Sequence, residues 1–250
     1  MFMAKPTMYK DNTAPQNLLE SLQTAILSNP YSKNEPIVYE FTQDRALLHQ
    51  YYRLREAMYR KMFQTDQFKG EEDLHDKLSH ILIARRGNLC LGGCRLTIRE
   101  HDEMWNLPME SDDFKIRELF PHLPLDKARQ CEISRFAIME DSGDAEILDA
   151  MSKVMIDKVI DSDVHFSFVK STLPLARNWR LIANKCGVKT AKICRDIEVP
   201  ENPIHPDIKW YITLFESTSL CESKLGKPAE HAPILAPVAA AEAPQLTLVE

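Results

Sequence analysis

The sequence has no apolar run long enough to span a bilayer, no Cys-x-x-Cys pair, no ladder of cysteine and histidine, and no excess of basic residues. Each absence removes a class of protein. Without roughly 20 consecutive apolar residues there is no membrane-spanning helix to expect. The opening "MFMAKPTMYKDNTAPQ" lacks the apolar centre of a secretory signal, so the expected setting is the cytoplasm. Six cysteines, at 90, 94, 131, 186, 194 and 221, show no zinc-binding spacing, so they read as reduced thiols and no metal site is expected. A net charge of −6 gives nucleic acid no electrostatic footing. No segment repeats.

What is present is an ordinary globular composition: 250 residues, 44% hydrophobic and 27% charged, enough for one sizeable core. Three regions follow from composition. Residues 1–35 are polar, with one amphipathic stretch, "PQNLLESLQTAIL", that reads as a peripheral helix. Residues 36–220 carry the periodic patterns of a folded domain. Residues 221–250 are rich in alanine and proline and read as a disordered tail.

Within the domain, "PIVYEF" (36–41) reads as a strand. Leu47, Tyr51, Leu54, Met58 and Met62 recur at helical spacing. A charged connection follows, then "HILIARRGNLCLGGCRLTIRE", two strands joined by a turn at Arg86-Gly87-Asn88. Gly92-Gly93 inside the second strand marks a bulge or a close backbone approach. After a long insertion with a short helix at 112–119 come a strand at 131–140, an amphipathic helix at 144–161 and a strand at 164–170. A further helix begins with Pro174 in its first turn and ends at Gly187, and a last strand spans 210–215. Hairpins mixed with helical crossovers imply an α/β (α+β) protein with a mixed central sheet, a β-bulge and flanking helices.

Several charges fall where a core should be. Arg55 and Tyr59 share one face of the first helix, which fits either a snorkelling arginine at the edge of the apolar stripe or a site residue. "EEDLHD" sets Glu71, Asp73 and Asp76 close together, as solvated surface or as a carboxylate group that receives a cation. Arg95 sits in one strand, and Glu132 and Arg135 in another, "CEISRFAIME". Charges in a buried strand are costly unless they pair or face a cavity. They are therefore either an internal ion pair tying strands together or a polar cleft with a carboxylate base and guanidinium anchors. Regular alternation places Glu132 and Arg135 on opposite faces, so a bulge is required if both face one site. Cys131 adjoins Glu132, but it has no histidine nearby and apolar neighbours, which argues against a covalent acyl-cysteine.

Taken in order, these motifs resemble those of the acyl-homoserine-lactone synthases, the autoinducer synthases of bacterial quorum sensing. "LREAMY" is similar to that family's arginine-x-x-x-aromatic helix, "EEDLHD" to its acidic motif with His75 in place of an aromatic, "GGCRL" to its strand arginine, "EISRFAI" to its E-x-S-R-F strand, and "ARNWRLIANKCGV" to its later helix. The resemblance spans roughly residues 37–215. It implies a fold like the GCN5-related N-acyltransferases (GNAT), an α/β/α sandwich. The phosphate loop Q/R-x-x-G-x-G/A of the acyl-CoA acetyltransferases is not evident, in keeping with the acyl-carrier protein that the resemblance implies as donor. Three departures stand out. Thr65 occupies the place of a family tryptophan, with no tryptophan between Tyr59 and Asp73, the connection from the helix to the acidic motif is shorter than the family's, and the connection from Arg95 to Glu132 is longer.

The resemblance implies acyl transfer from acyl-carrier protein to the amine of S-adenosylmethionine, taken as a substrate, with no cofactor. Glu132, Arg135 and Asp73 are the catalytic candidates; Arg55, Tyr59, Glu71, Asp76, Arg95, Ser134, Phe136, Ser171 and Thr172 are the substrate-binding ones. One carboxylate, directly or through water, suffices to take the proton of an attacking α-amine, and Glu132 is the first choice. A backbone N–H freed near Gly92-Gly93 would polarise the thioester carbonyl. Phe166, Phe168, Ser171 and Thr172 are candidates to line an acyl tunnel. Lys153, Lys158, Arg177, Arg180 and Lys185 form a candidate docking patch for an acidic carrier, or a solvated helix face. The alternative acceptor is a free amino acid, as in the N-acyl amino acid synthases, and a non-catalytic ligand-binding relic of the fold is the third possibility.

Overall fold

A computed structural model describes residues 35–140, 144–188, 190–200 and 207–217. The expected peripheral helix near the start of the chain, the Ala/Pro-rich tail and Cys221 lie outside the described residues.

Strand β1 (Val38–Phe41) leads into helix α1 (Arg45–Phe63). Asp44 starts α1 from an extended conformation, its carboxylate accepting from the N–H groups of Ala46 and Leu47 at 2.7 and 3.2 Å. Gln64 ends it in the left-handed region (φ 47°), with Arg60 and Lys61 in the last turn where the helix dipole favours cations. Leu47, Tyr51, Leu54, Arg55 and Ala57 form its buried face. A single-turn helix α2 (Leu74–Lys77) stands within the stretch that reads as a charged connection. Its N-terminus is a capping box: Asp73 accepts from the N–H of Asp76 and Asp76 accepts from that of Asp73. The acid motif thus folds its own support.

Strands β2 (His80–Arg86) and β3 (Leu89–Arg99) form the expected hairpin, with Gly87 at φ 55° in the turn. The insertion contains α3 (Ile116–Leu119), shorter than the expected 112–119 because Ser111 and Phe114 pair in an isolated bridge just before it. Then follow β4 (Gln130–Ile138), α4 (Asp144–Asp161), β5 (Phe166–Ser171), α5 (Leu173–Lys185), β6 (Thr190–Cys194) and β7 (Tyr211–Glu216). Gly187 (φ 88°) follows the last turn of α5 as expected. Strand β6 has no counterpart in the sequence reading. It is a five-residue edge strand with Lys192 in its middle, and its polar–apolar alternation, Thr190-Ala191-Lys192-Ile193, is too short to stand out.

The strands form one seven-stranded sheet in the order β1-β2-β3-β4-β5-β7-β6. Every neighbouring pair is antiparallel except β4 and β5, which run parallel over only three residue pairs, Gln130–Phe166, Cys131–Ser167 and Glu132–Phe168. Past Glu132 the two strands separate although both continue. The glycine pair shows how the layers divide. A Cβ on Gly92 would meet the Met151 sulfur of α4, whereas one on Gly93 would stand 2.4 Å from the Tyr51 ring of α1. So α1 lies on one face of the sheet and α4 on the other. A bulge at Leu91, opposite Arg85, accompanies this close approach.

The core has two parts. One joins Tyr51 and Leu54 of α1 through β2–β4 to Met151, Met155 and Ile156 of α4 and to Trp179 of α5. The other is built by the insertion, whose Leu107, Met109, Phe114, Ile116 and Phe120 pack on Phe166, Phe168, Ile212 and Leu214. Among the described residues the five cysteines are free, no helix is long and apolar enough to cross a membrane, and no group of residues is arranged to hold a metal.

Candidate active site

The β3–β4 ladder sets three polar pairs side by side on one face of the sheet: Arg99 with Gln130, Thr97 with Glu132, and Arg95 with Ser134. Beyond Ser134 the register slips, so that Arg135 and Phe136 together oppose Cys94. This is the bulge that the spacing of Glu132 and Arg135 requires. Arg135 adopts φ 61°, a left-handed conformation that costs an L-residue about 1–2 kcal/mol. The Tyr51 hydroxyl donates to the Arg135 carbonyl at 2.7 Å and holds the turn. The Arg135 guanidinium then lies 3.6 Å from the Asp73 carboxylate and over the rings of Phe68 and Tyr59, at 5.3 and 6.0 Å.

The acid motif and the arginines form one connected cluster. Arg55 grips Asp76 with two bonds of 3.0 and 2.8 Å and donates also to the carbonyls of Gly70 and Glu71. Arg95 bonds Asp73 at 3.0 and 3.1 Å, Asp76 at 3.1 Å and, through Nε, the Ser134 hydroxyl at 3.3 Å. Arg55, Arg95 and Asp76 are almost wholly buried, while Asp73 and Arg135 keep about a third of their side chains open to solvent. Burial alone would raise the Asp76 carboxyl, but its hydrogen bonds and charge pairing with Arg55 outweigh that and hold it below its ordinary value.

Glu132 completes the chain. Its carboxylate accepts from the Met109 N–H at 2.6 Å and is bonded to Ser134, which links it to Arg95 and so to Asp73. Burial pushes the Glu132 carboxyl up to about 7; Arg95, the Met109 N–H, Ser134 and Arg135 offset only part of that push. A carboxyl poised there can accept and return a proton near neutral pH.

The other candidates take varied places. Tyr59 packs against the tilted ring of Phe63 and edge-on to Phe68, with centroids 5.6 and 4.8 Å apart. Glu71 contributes its carbonyl, and its side chain is exposed. Phe136 turns to the opposite layer and meets Trp179 edge-on at 5.2 Å. Ser171 ends β5 with a buried, unpartnered hydroxyl, and Thr172 is the N-cap of α5 without a side-chain bond. Phe168 stands beside Glu132 across the last rung before the strands part, and Phe166 belongs to the insertion's core. Cys131 is buried with its thiol donating to the Ser167 hydroxyl at 3.1 Å, and burial pushes it up to about 12, which disfavours the thiolate. In the proposed docking patch Lys153, Arg177, Arg180 and Lys185 are exposed, while Lys158 rests on the Phe41 ring.

Sequence reasoning missed Lys170. It follows Phe168 by two residues on β5 and therefore shares its face; burial lowers its pKa, and the charge of Glu132 acts against that. Its ammonium lies 5.8 Å from the Trp210 ring, which in turn meets Phe63. A lysine at the end of the alternating "FSFVK" was the signal for it. Arg99 and Glu110 were also missed, and the polar alternation R-x-T-x-R in β3 was the signal for the first of them.

This architecture has known counterparts. No protein-family model matches the sequence, and no curated protein matches it significantly. Among solved structures, the AHL synthase LasI superposes with a TM-score of 0.52 at 15% identity, over 73% of this chain and 91% of LasI. FeeM, an N-acyl amino acid synthase from uncultured soil microbes, gives 0.52 at 8% identity, over 76% of this chain and 94% of its own. BjaI, a CoA-dependent acyl-homoserine lactone synthase solved with SAM and isopentyl-CoA, gives 0.50 at 15% identity, over 80% and 94%. The chain therefore has the GNAT-like fold of the AHL synthases, an α/β/α sandwich about a mixed sheet.

Proposed function

We propose that the protein is an acyltransferase that joins an acyl group, delivered as a thioester on acyl-carrier protein, to the α-amine of S-adenosylmethionine, giving an N-acyl-homoserine lactone. One observation carries the reading: a buried carboxyl poised near 7 is wired through Ser134 and Arg95 to the acid motif, where the central strands part. In the reaction, the neutral amine attacks the thioester carbonyl and Glu132 takes the amine proton. The C–N bond forms, the C–S bond breaks, and the departing thiolate takes the proton that Glu132 returns. Arg55, Arg95 and Arg135 order the acid motif and the acceptor's carboxylate. In the lactone-forming step that carboxylate displaces methylthioadenosine within one molecule, so positioning supplies most of the rate.

A second reading is favoured by one specific feature. Three guanidiniums face two aspartates in the cluster, and Lys170 stands nearby, so the acid motif is already neutralised. Such a surplus suits an acceptor carboxylate better than a sulfonium, as in an amino acid N-acyltransferase. Purified protein incubated with acyl-acyl-carrier protein separates the two. Release of methylthioadenosine from S-adenosylmethionine supports the lactone synthase. Thiol release only with free amino acids supports the second reading, and no thiol release with either amine rejects both.

A further inference from the structure

The connection between β3 and β4 does more than cover the sheet. Its segment 105–110 is cinched onto one buried guanidinium. Arg99 donates to the Trp105 carbonyl at 3.0 Å, to Glu110 at 2.5 Å and to Gln130 at 2.7 Å. Glu110 in turn accepts from the N–H groups of Leu107 at 2.6 Å and Ile116 at 2.8 Å, so every oxygen of its carboxylate is used on the loop. Both side chains of the pair are almost fully buried. The peptide between these anchors is Met109, and its N–H is the one bonded to Glu132. Hydrophobic packing of Met109 and Leu107 on the β5–β7 side fixes the same segment from the other direction.

We propose that Glu110, clamped by Arg99, is a positioning residue that aims the Met109 N–H at the Glu132 carboxylate and so sets the proton affinity of that group. An N–H bonded to a carboxylate favours its charged form. The clamp keeps the donor in place without offering the base a charge partner. This rests on reading Glu132 as the base of the transfer reaction.

The test is a titration that needs no substrate. Urea stability is measured from pH 5 to 9 for the wild-type, Glu110→Gln, Glu132→Gln and double-variant proteins, and the part of the pH dependence that Glu132→Gln removes is extracted. In the Glu110→Gln background that part should extend upward by about one pH unit, the scale of one lost charge-assisted bond. Met109→Pro deletes the N–H while leaving the ion pair intact, and should give the same shift should Glu110→Gln prove too unstable. The acid limb of the thiol-release rate should move by the same amount, whereas a merely structural defect lowers the rate without moving the limb. An unmoved titration in both variants overturns the inference and leaves the proposed function standing. A moved titration in a protein that transfers no acyl group overturns the function and leaves the clamp.

Discussion

Replacing Glu132 with glutamine should raise stability and lower activity, and the first effect has a worked size. The Glu132 carboxyl stands at about 7 against an ordinary 4.5. A difference of that size corresponds to about 3 kcal/mol of preference for the neutral form. The folded protein holds a proton that the unfolded chain gives up. The contribution to stability is therefore complete below 4.5 and lost as pH rises to about 7. Glutamine cannot ionise and can still accept from the Met109 N–H. The variant should thus gain less than about 1 kcal/mol over wild type at pH 5 and about 3 kcal/mol at pH 8. Urea unfolding followed by tryptophan fluorescence at both pH values gives the comparison. The same variant should release thiol from acyl-acyl-carrier protein more slowly by about a hundredfold or more. A stability difference that stays flat with pH would refute the buried, proton-hungry carboxyl, and an unchanged rate would remove it from the chemistry.

Three further outcomes follow from the cluster and its supports. Asp76→Asn leaves Arg55 and Arg95 buried with a neutral partner and should cost about 3–5 kcal/mol in urea unfolding at pH 7. Because the Asp76 carboxyl is held low, that loss should shrink as pH falls through its folded value, the reverse of the Glu132 behaviour. At the bulge, Arg135→Gly should be more stable than Arg135→Ala by about 1 kcal/mol, since only glycine adopts φ 61° without strain; equal stabilities would show that the turn is not strained. Gly93→Ala drives a methyl into the Tyr51 ring and should destabilise by about 1–3 kcal/mol, with a tolerated alanine showing that α1 can shift away.

The parts of the fold that were legible in the sequence are those where burial writes a period. The stripe of α1 and the glycine-marked hairpin announce themselves in this way. The need for a bulge was legible too, because Glu132 and Arg135 three residues apart cannot share a flat strand's face. What stayed hidden depends on partners far along the chain. "LHDK" is too short to show helical periodicity, and it folds as a turn because Asp73 and Asp76 cap each other. Glu110 looks like any loop acid until Arg99, eleven residues earlier, closes on it. Lys170 lies two residues past Phe168, the partner of Glu132 in the last rung, and its closeness to that carboxyl's charge depends on a pairing the sequence does not show.

The sheet consists of two antiparallel ribbons, β1 to β4 and β5–β7–β6, sewn together along a seam of three residue pairs. The charged cluster is borne entirely by residues up to Arg135, whereas the apolar core of the second ribbon is shared across the seam: Leu107, Met109, Phe114, Ile116 and Phe120 of the insertion pack on Phe166, Phe168, Ile212 and Leu214. The cluster's ion pairs thus lie wholly within the first ribbon, while the greasy packing bridges the two. A chimaera spliced within 138–166 would keep the charged cluster whole and exchange the strands on which the insertion packs, so its stability would hang on how well the new strands fit Leu107, Met109 and Phe120.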